Sequence, residues 1–291
     1  AEHPAPDAAV MNGGVRSGWR LLWALLVGLV ASAAWGDEQQ TVAAVRAPLV
    51  SLIIDDLGDR YDYGSRAIEL PGQLTYAILP QTTYSHRLAE MAHDRGKEVM
   101  LHQPMQAING KAMGPGGMGM EMSHNALLAT LEANLASVPH ARGVNNHMGS
   151  LLTRHPGHMA WLMEALRQRG GLYFVDSGTS SKSVAQQIAL EHELPVMRRH
   201  VFLDHERDQR LISRQFMQLV RMAHRNGHAI GIGHPYPETL AVLEQQLPQL
   251  EGFGVRLVPV SQLIAHQEKR SEALWQASLS PSPRGVKSSK Q

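Results

Sequence analysis

The chain predicts an α/β fold built as one closed or distorted (β/α) barrel, and three observations carry that reading. From Pro48 onward, eight short apolar runs of β type alternate with six amphipathic helical patterns over about 220 residues. Strands that alternate with helices need crossover connections and therefore form a parallel sheet. Ionisable residues recur at the C-terminal edge of the runs, the edge at which parallel barrels carry their functional side chains.

The β-runs fall at residues 49–54, 74–79, 98–101, 143–145, 172–175, 200–203, 229–232 and 256–259. Helical patterns lie at 84–95, 125–137, 158–168, 184–191, 211–226 and 237–246. Two helices end in a glycine stop, Asp94-Arg95-Gly96 and Arg225-Asn226-Gly227, as expected where the last turn needs a left-handed residue. One stretch fits no regular element. Residues 108–122 are rich in Gly and Met, and they read either as a surface insertion or as an active-site loop following the third strand.

The length and the 43% hydrophobic content supply one sizeable core. The organisation expected is upstream residues and a signal peptide over 1–36, a linker over 37–47, one barrel domain over 48–267 and a disordered tail over 268–291. Arg16 and Arg20 precede an apolar run at 21–30, and Ala34-Trp35-Gly36 offers small residues for a cut after Gly36. That is the layout of a secretory signal, and the run is shorter than the roughly 20 residues of a membrane span. The protein is therefore expected in the periplasm or outside the cell. The alternative is an uncleaved signal anchor, which would be its one tie to the membrane.

A formal net charge of +1 gives no reason to expect a nucleic-acid partner. With no Cys in the chain, disulfides, thiolate nucleophiles and Cys-based zinc sites are excluded. Sixteen histidines remain, so metal binding falls to imidazole and carboxylate.

Read in order, the strand ends carry Asp55-Asp56, His102-Gln103-Pro104-Met105, Asn145-Asn146-His147-Met148-Gly149-Ser150, Asp176-Ser177, Asp204 and Gly233-His234-Pro235. Tandem carboxylates face opposite sides of a strand if the pleat continues, so Asp55 and Asp56 can take different tasks; the competing role is helix capping. Asp56, His102 and His147 make a three-ligand set with an open position, suited to Zn²⁺ or another divalent transition metal. Such a site activates water without Ser or Cys. Asp55 is then placed to take the proton of that water and His234 to protonate the leaving group. Asp176 is a third catalytic candidate. Asn145, Asn146, Ser177 and Asp204 are the candidate substrate-binding residues, with the asparagines also able to orient a ligating His.

These motifs in this order, with Gly231-Ile232-Gly233-His234-Pro235, resemble the divergent polysaccharide deacetylases. These are relatives of the metal-dependent carbohydrate esterases that remove N- or O-acetyl groups from chitin-like and peptidoglycan sugars. The resemblance spans about 48–267 and implies a distorted (β/α) barrel of the NodB-like type. It implies Asp55 as the base, Asp56 as the metal-binding Asp and His234 as the histidine assisting the leaving group. It also implies an envelope polysaccharide or peptidoglycan-like substrate. The sequence departs from the pattern in two places. Where the deacetylases carry His-x-x-x-His, Gln106 stands four residues after His102, so the second imidazole is expected from His147. The Arg-x-Pro-Tyr substrate motif is absent. The leading expectation is a metal-dependent carbohydrate hydrolase. Two others stand beside it: a non-catalytic glycan- or protein-binding envelope module, and an envelope structural protein whose polar strand ends cap helices.

Overall fold

The computed structural model describes residues 47–279; the expected signal peptide and nearly all of the linker lie outside the described residues. Nine strands form a single parallel sheet: β1 (Leu49–Leu57), β2 (Thr75–Ile78), β3 (Glu98–Met105), β4 (Ala141–Met148), β5 (Tyr173–Asp176), β6 (Val196–Arg198), β7 (Val201–Phe202), β8 (His228–Gly233) and β9 (Arg256–Leu257). The order is β6-β5-β4-β3-β2-β1-β8-β7, with β9 added on β1. The sheet curls into a barrel whose two ends are β6 and β7, matching the expected distorted (β/α) barrel.

The helices are α1 (Tyr61–Ile68), α2 (Ser85–Asp94), α3 (His124–Ser137), α4 (Pro156–Arg169), α5 (Ala185–Glu191), α6 (Gln209–Asn226), α7 (Pro237–Gln246) and α8 (Val260–Leu279). The longest of the crossover helices, α6, is held at both ends. The Asp208 side chain accepts from the amides of Arg210 and Leu211, and Gly227 closes the last turn at φ 81°. Gly96, the other expected stop, sits at φ 66°.

Side-chain alternation along the strands sorts the core into two layers. On β1, Val50, Leu52 and Ile54 pack into the layer shared with the helices. Leu49 and Ile53 turn inward, to a second cluster with Ala77, Met100, Val175, Ile230 and Ile232. Val260, Leu263 and Ile264 at the start of α8 complete this inner cluster and plug the end of the barrel opposite the strand C-termini. Each fully buried aliphatic side chain contributes roughly 1.5–3 kcal/mol. Continued by two residues per step, the inner positions lead to Asp55 on β1, His102 on β3, Asn145 on β4 and His234 just past β8. The period of two delivers four polar groups to one end of the interior.

Three elements differ from the sequence expectation. Helix α1 is short and contains Gly64, which lies so close to Leu88 that an added Cβ would stand 2.6 Å from its Cδ1; that composition masks a helical period. Strand β6 has three residues, too few to show alternation. The disordered tail expected from residue 268 is corrected as far as residue 279, because α8 runs unbroken to Leu279. Residues 268–278 hold strong helix formers such as Glu, Lys, Arg, Ala and Leu, and the first Pro of the tail comes only at position 281. No helix among the described residues is long and apolar enough to cross a membrane.

Candidate metal centre

The backbone breaks its own pattern at the site. The register of β1 with β2 slips between Ile54 and Leu57, and Asp56 inside the slip adopts φ 58°. A left-handed residue other than glycine costs on the order of 1 kcal/mol. The break cancels the expected opposite facing of the tandem aspartates, and both turn toward His102. Its Nε2 lies 3.0 Å from Asp56 Oδ1 and 3.7 Å from Asp55 Oδ2. Strand β4 repeats the device, since Met148 directly after His147 sits at φ 53°. The β3–β4 register pairs His102 with Asn145 and Pro104 with His147, which carries the second imidazole over from the neighbouring strand.

Three donor atoms meet. Asp56 Oδ1 lies 2.8 Å from His147 Nδ1 and 3.0 Å from His102 Nε2, and the two ring nitrogens are 3.1 Å apart. Asp56 Oδ1 is buried, yet it has no hydrogen-bond partner in acceptable geometry. Among the described residues this is the group of His and carboxylate side chains able to hold a metal ion. The donor chemistry fits a divalent cation. One carboxylate oxygen and two imidazole nitrogens converge on a point that each can reach at roughly 2.1 Å, and an orphaned buried oxygen is what such an ion satisfies.

Asn145 fixes the protonation pattern. Its Nδ2 donates to Asp55 Oδ1 at 2.8 Å, and its Oδ1 faces His102 Nδ1 at 2.7 Å. A carbonyl oxygen only accepts, so His102 carries its proton on Nδ1 and a neutral ring keeps the Nε2 lone pair for the centre. Burial pushes the Asp55 carboxyl above the usual range, against the pull of His102, His234 and the Asn145 amide. Burial also raises Asp56, but the rings of His102 and His147 override it and hold the carboxyl well below that range. Burial disfavours the charged form of His102, whose pKa is nevertheless raised by Asp55 and Asp56.

On the other flank, Asp204 is buried and holds His234. Its Oδ1 accepts from Nδ1 at 2.9 Å, and its Oδ2 accepts from the His234 amide at 2.6 Å and the Thr239 hydroxyl at 2.8 Å. Nε2 is left facing Asp56 Oδ2 at 3.7 Å. Burial opposes the charged ring, but the hydrogen bond to Asp204 pushes its pKa up to about 9.

The remaining strand-end residues lie elsewhere or are engaged. Asp176 shares the outward parity of Phe174. It accepts from the Gly178 amide at 2.8 Å and faces Arg198 at 3.6 Å, and the structure does not bring it to the centre with Asp55 and His234. The four residues expected to bind substrate are all buried. Asn145 and Asp204 hold Asp55, His102 and His234; Asn146 holds the Met148 carbonyl and the Ser177 amide; Ser177 is 5% exposed.

The glycine- and methionine-rich loop stands at the site rather than apart from it. Ala112, Met113, Gly114 and Pro115 line a cleft of about 260 Å³ together with Leu79, Pro80, Asp56 and His147. The residues that hold it escaped the sequence reading. Gln103 and Asn134 both donate to the Gly116 carbonyl, at 2.9 and 2.8 Å, and Gln106 Oε1 accepts from Met120 N–H at 2.8 Å. Gln103 and Asn134 are fully buried. A glutamine inside the apolar end of a strand was the available signal.

Fold and site together define a deacetylase-type barrel. The chain matches the divergent polysaccharide deacetylase family over residues 52–264, and it belongs to that family. It is 34% identical to the uncharacterized protein YibQ of Escherichia coli, over 76% of this chain and 68% of the relative. An uncharacterized protein of Haemophilus influenzae is 35% identical over 70% of this chain and 75% of its own length. Among solved structures, an uncharacterized protein of Agrobacterium tumefaciens superposes with a TM-score of 0.72 at 27% identity, covering 75% of this chain and 89% of that one. The peptidoglycan deacetylase PdaC of Bacillus subtilis shares the fold with a TM-score of 0.51 at 13% identity, covering 80% and 98%.

Proposed function

We propose that this protein is a divalent-metal-dependent deacylase that removes acetyl groups from an envelope glycan in the periplasm. The observation that supports this most is the meeting of Asp56, His102 and His147 within 3.1 Å, flanked by a tethered carboxylate and a tethered imidazole. Asp56 Oδ1, His102 Nε2 and His147 Nδ1 would hold the ion. The N₂O donor set favours Zn²⁺ while suiting other divalent transition metals. When bound, such an ion supplies Lewis-acid chemistry, polarising an acyl carbonyl and acidifying water.

The chain's own groups do the rest. Asp55, held by Asn145, accepts the proton of the attacking water. His234 Nε2, with Nδ1–H fixed on Asp204, gives a proton to the departing amine or alcohol as the acyl C–N or C–O bond breaks. Acetate and a free amino or hydroxyl group result. The apolar side of the cleft, with Leu79, Pro80, Met113 and Pro115, suits an acyl methyl group. His147 supplies the imidazole that the missing His-x-x-x-His pattern leaves open, which favours turnover over a purely binding role.

The test is acetate release from N- and O-acetylated glycans by the full chain with added Zn²⁺, alongside its metal content. Asp55→Asn should abolish release while keeping the metal. Release unaffected by Asp55→Asn, or metal retained after His102→Ala and His147→Ala together, contradicts the proposal.

A further inference from the structure

We infer that the His234 side of the site carries a subsite for an oxyanion substituent of the glycan, a carboxylate or phosphate, held by the Arg207 guanidinium. The inference rests on the glycan reading above and narrows it to acidic sugars.

Three rings and planes connect this arginine to the centre. His234 Nε2 lies 3.7 Å from Asp56 Oδ2. The Tyr236 ring stacks on the His234 ring, with centroids 5.2 Å apart and planes 21° apart. The guanidinium carbon of Arg207 lies 3.5 Å from the Tyr236 centroid. A guanidinium stacked on a ring keeps its N–H edge free, and that rigid fork matches a carboxylate or phosphate bidentately.

No hydrogen-bond or ion-pair partner among the described residues occupies that edge. Among the described residues, the stacking on Tyr236 is the contact Arg207 makes. Its neighbour Asp208 is engaged with the amides of Arg210 and Leu211, and Glu206 forms no ion pair with it. The other arginines nearby are committed. Arg199 lies over Phe202 at 5.0 Å but donates to the carbonyls of Ser177 and Gly178. Arg198 donates to the Ser180 carbonyl and faces Asp176. Arg207 is thus an exposed cation fixed by stacking, two rings from the reacting end of His234. A neutral sugar offers it only uncharged hydroxyl and amide oxygens, whereas a carboxylate or phosphate meets the fork with a charge-assisted bidentate pair.

The test is titration calorimetry of the full chain at low ionic strength with three N-acetylated probes. These are chitotriose, which is neutral; a disaccharide of N-acetylglucosamine and N-acetylmuramic acid, which bears a carboxylate; and N-acetylglucosamine 6-phosphate. The wild type should bind at least one anionic probe about fivefold or more tightly than the neutral one, and added salt should erode the difference. Arg207→Gln should remove the preference and leave chitotriose binding unchanged. Arg207→Lys should keep part of it, as a point charge without the fork. Which anionic probe gains distinguishes the carboxylate from the phosphate. Equal binding of all three by the wild type overturns the inference and leaves the glycan reading standing. A preference that survives Arg207→Gln, or an equal loss for all three probes in that variant, also overturns it. Binding of none of the probes overturns both.

Discussion

Asn145 and His102 face each other across the β3–β4 pair, with Asn145 Oδ1 2.7 Å from His102 Nδ1 while the same amide donates to Asp55. One buried side chain therefore sets both the tautomer of a ligand and the orientation of the proposed base. Asn145→Leu removes both bonds. Metal affinity should fall about 10- to 100-fold, as when the hydrogen-bond support of a ligand is lost, and stability by about 1–3 kcal/mol. Zn²⁺ titration with a competing chelator and a urea midpoint check the two effects; an unchanged affinity contradicts the role.

Asp204→Asn tests the opposite flank. The amide cannot receive the His234 ring proton, the His234 amide and the Thr239 hydroxyl as the carboxylate does, so the imidazole loses its fixed tautomer. Turnover should drop by roughly 10²-fold or more, with metal content unchanged. Loss of metal together with activity would show that Asp204 supports the centre as a whole.

Gly116→Ala probes the wall of the cleft. At φ 67°, an added Cβ would meet Asn134 Oδ1 at 2.1 Å and break the contact that pins the loop. Gly110, at φ 68° with open space around it, is the matched control for backbone strain of about 1 kcal/mol. Gly116→Ala should raise KM for the acetylated substrate several-fold more than Gly110→Ala, measured by steady-state acetate release.

His200 gives the fold a pH dependence remote from the chemistry. Its Nδ1 accepts from the Ile230 amide at 3.0 Å, and its ring meets that of His228 with centroids 5.4 Å apart. Burial, reinforced by His228, pushes its pKa down to about 4. The unfolded chain binds this proton near pH 6.5, so the stabilising contribution is present above that pH and is lost as pH falls from about 6.5 through about 4. Urea midpoints should drop across that window. Replacing the ring in His200→Asn should flatten the drop while lowering stability at neutral pH.

Much of the site was legible because it depends on local features. Alternation along Leu49–Leu57 and Glu98–Met105 and the shared strand edge are visible in residue order, and they gather Asp55, Asp56, His102, His147 and His234. Asp176 was a candidate from its strand edge alone; it follows Phe174 by two and has the same outward parity in the structure. The left-handed turn at Asp56 was not legible, because it goes with a slip in the pairing of β1 with β2 that residue order does not display. The partners of Asn145, Asp204 and Asn134 were hidden for the same reason. The groups they hold lie 18 to 90 residues away, and only the curled sheet brings them together.

The central claim is that Asp56, His102 and His147 form one metal centre. It is tested most directly by anomalous diffraction at the zinc edge from crystals of the full chain grown with Zn²⁺. The account predicts a single peak within about 2.3 Å of Asp56 Oδ1, His102 Nε2 and His147 Nδ1. It is contradicted if that point is empty with Zn²⁺ in excess, or if the ion sits on Asp176 or a surface histidine instead.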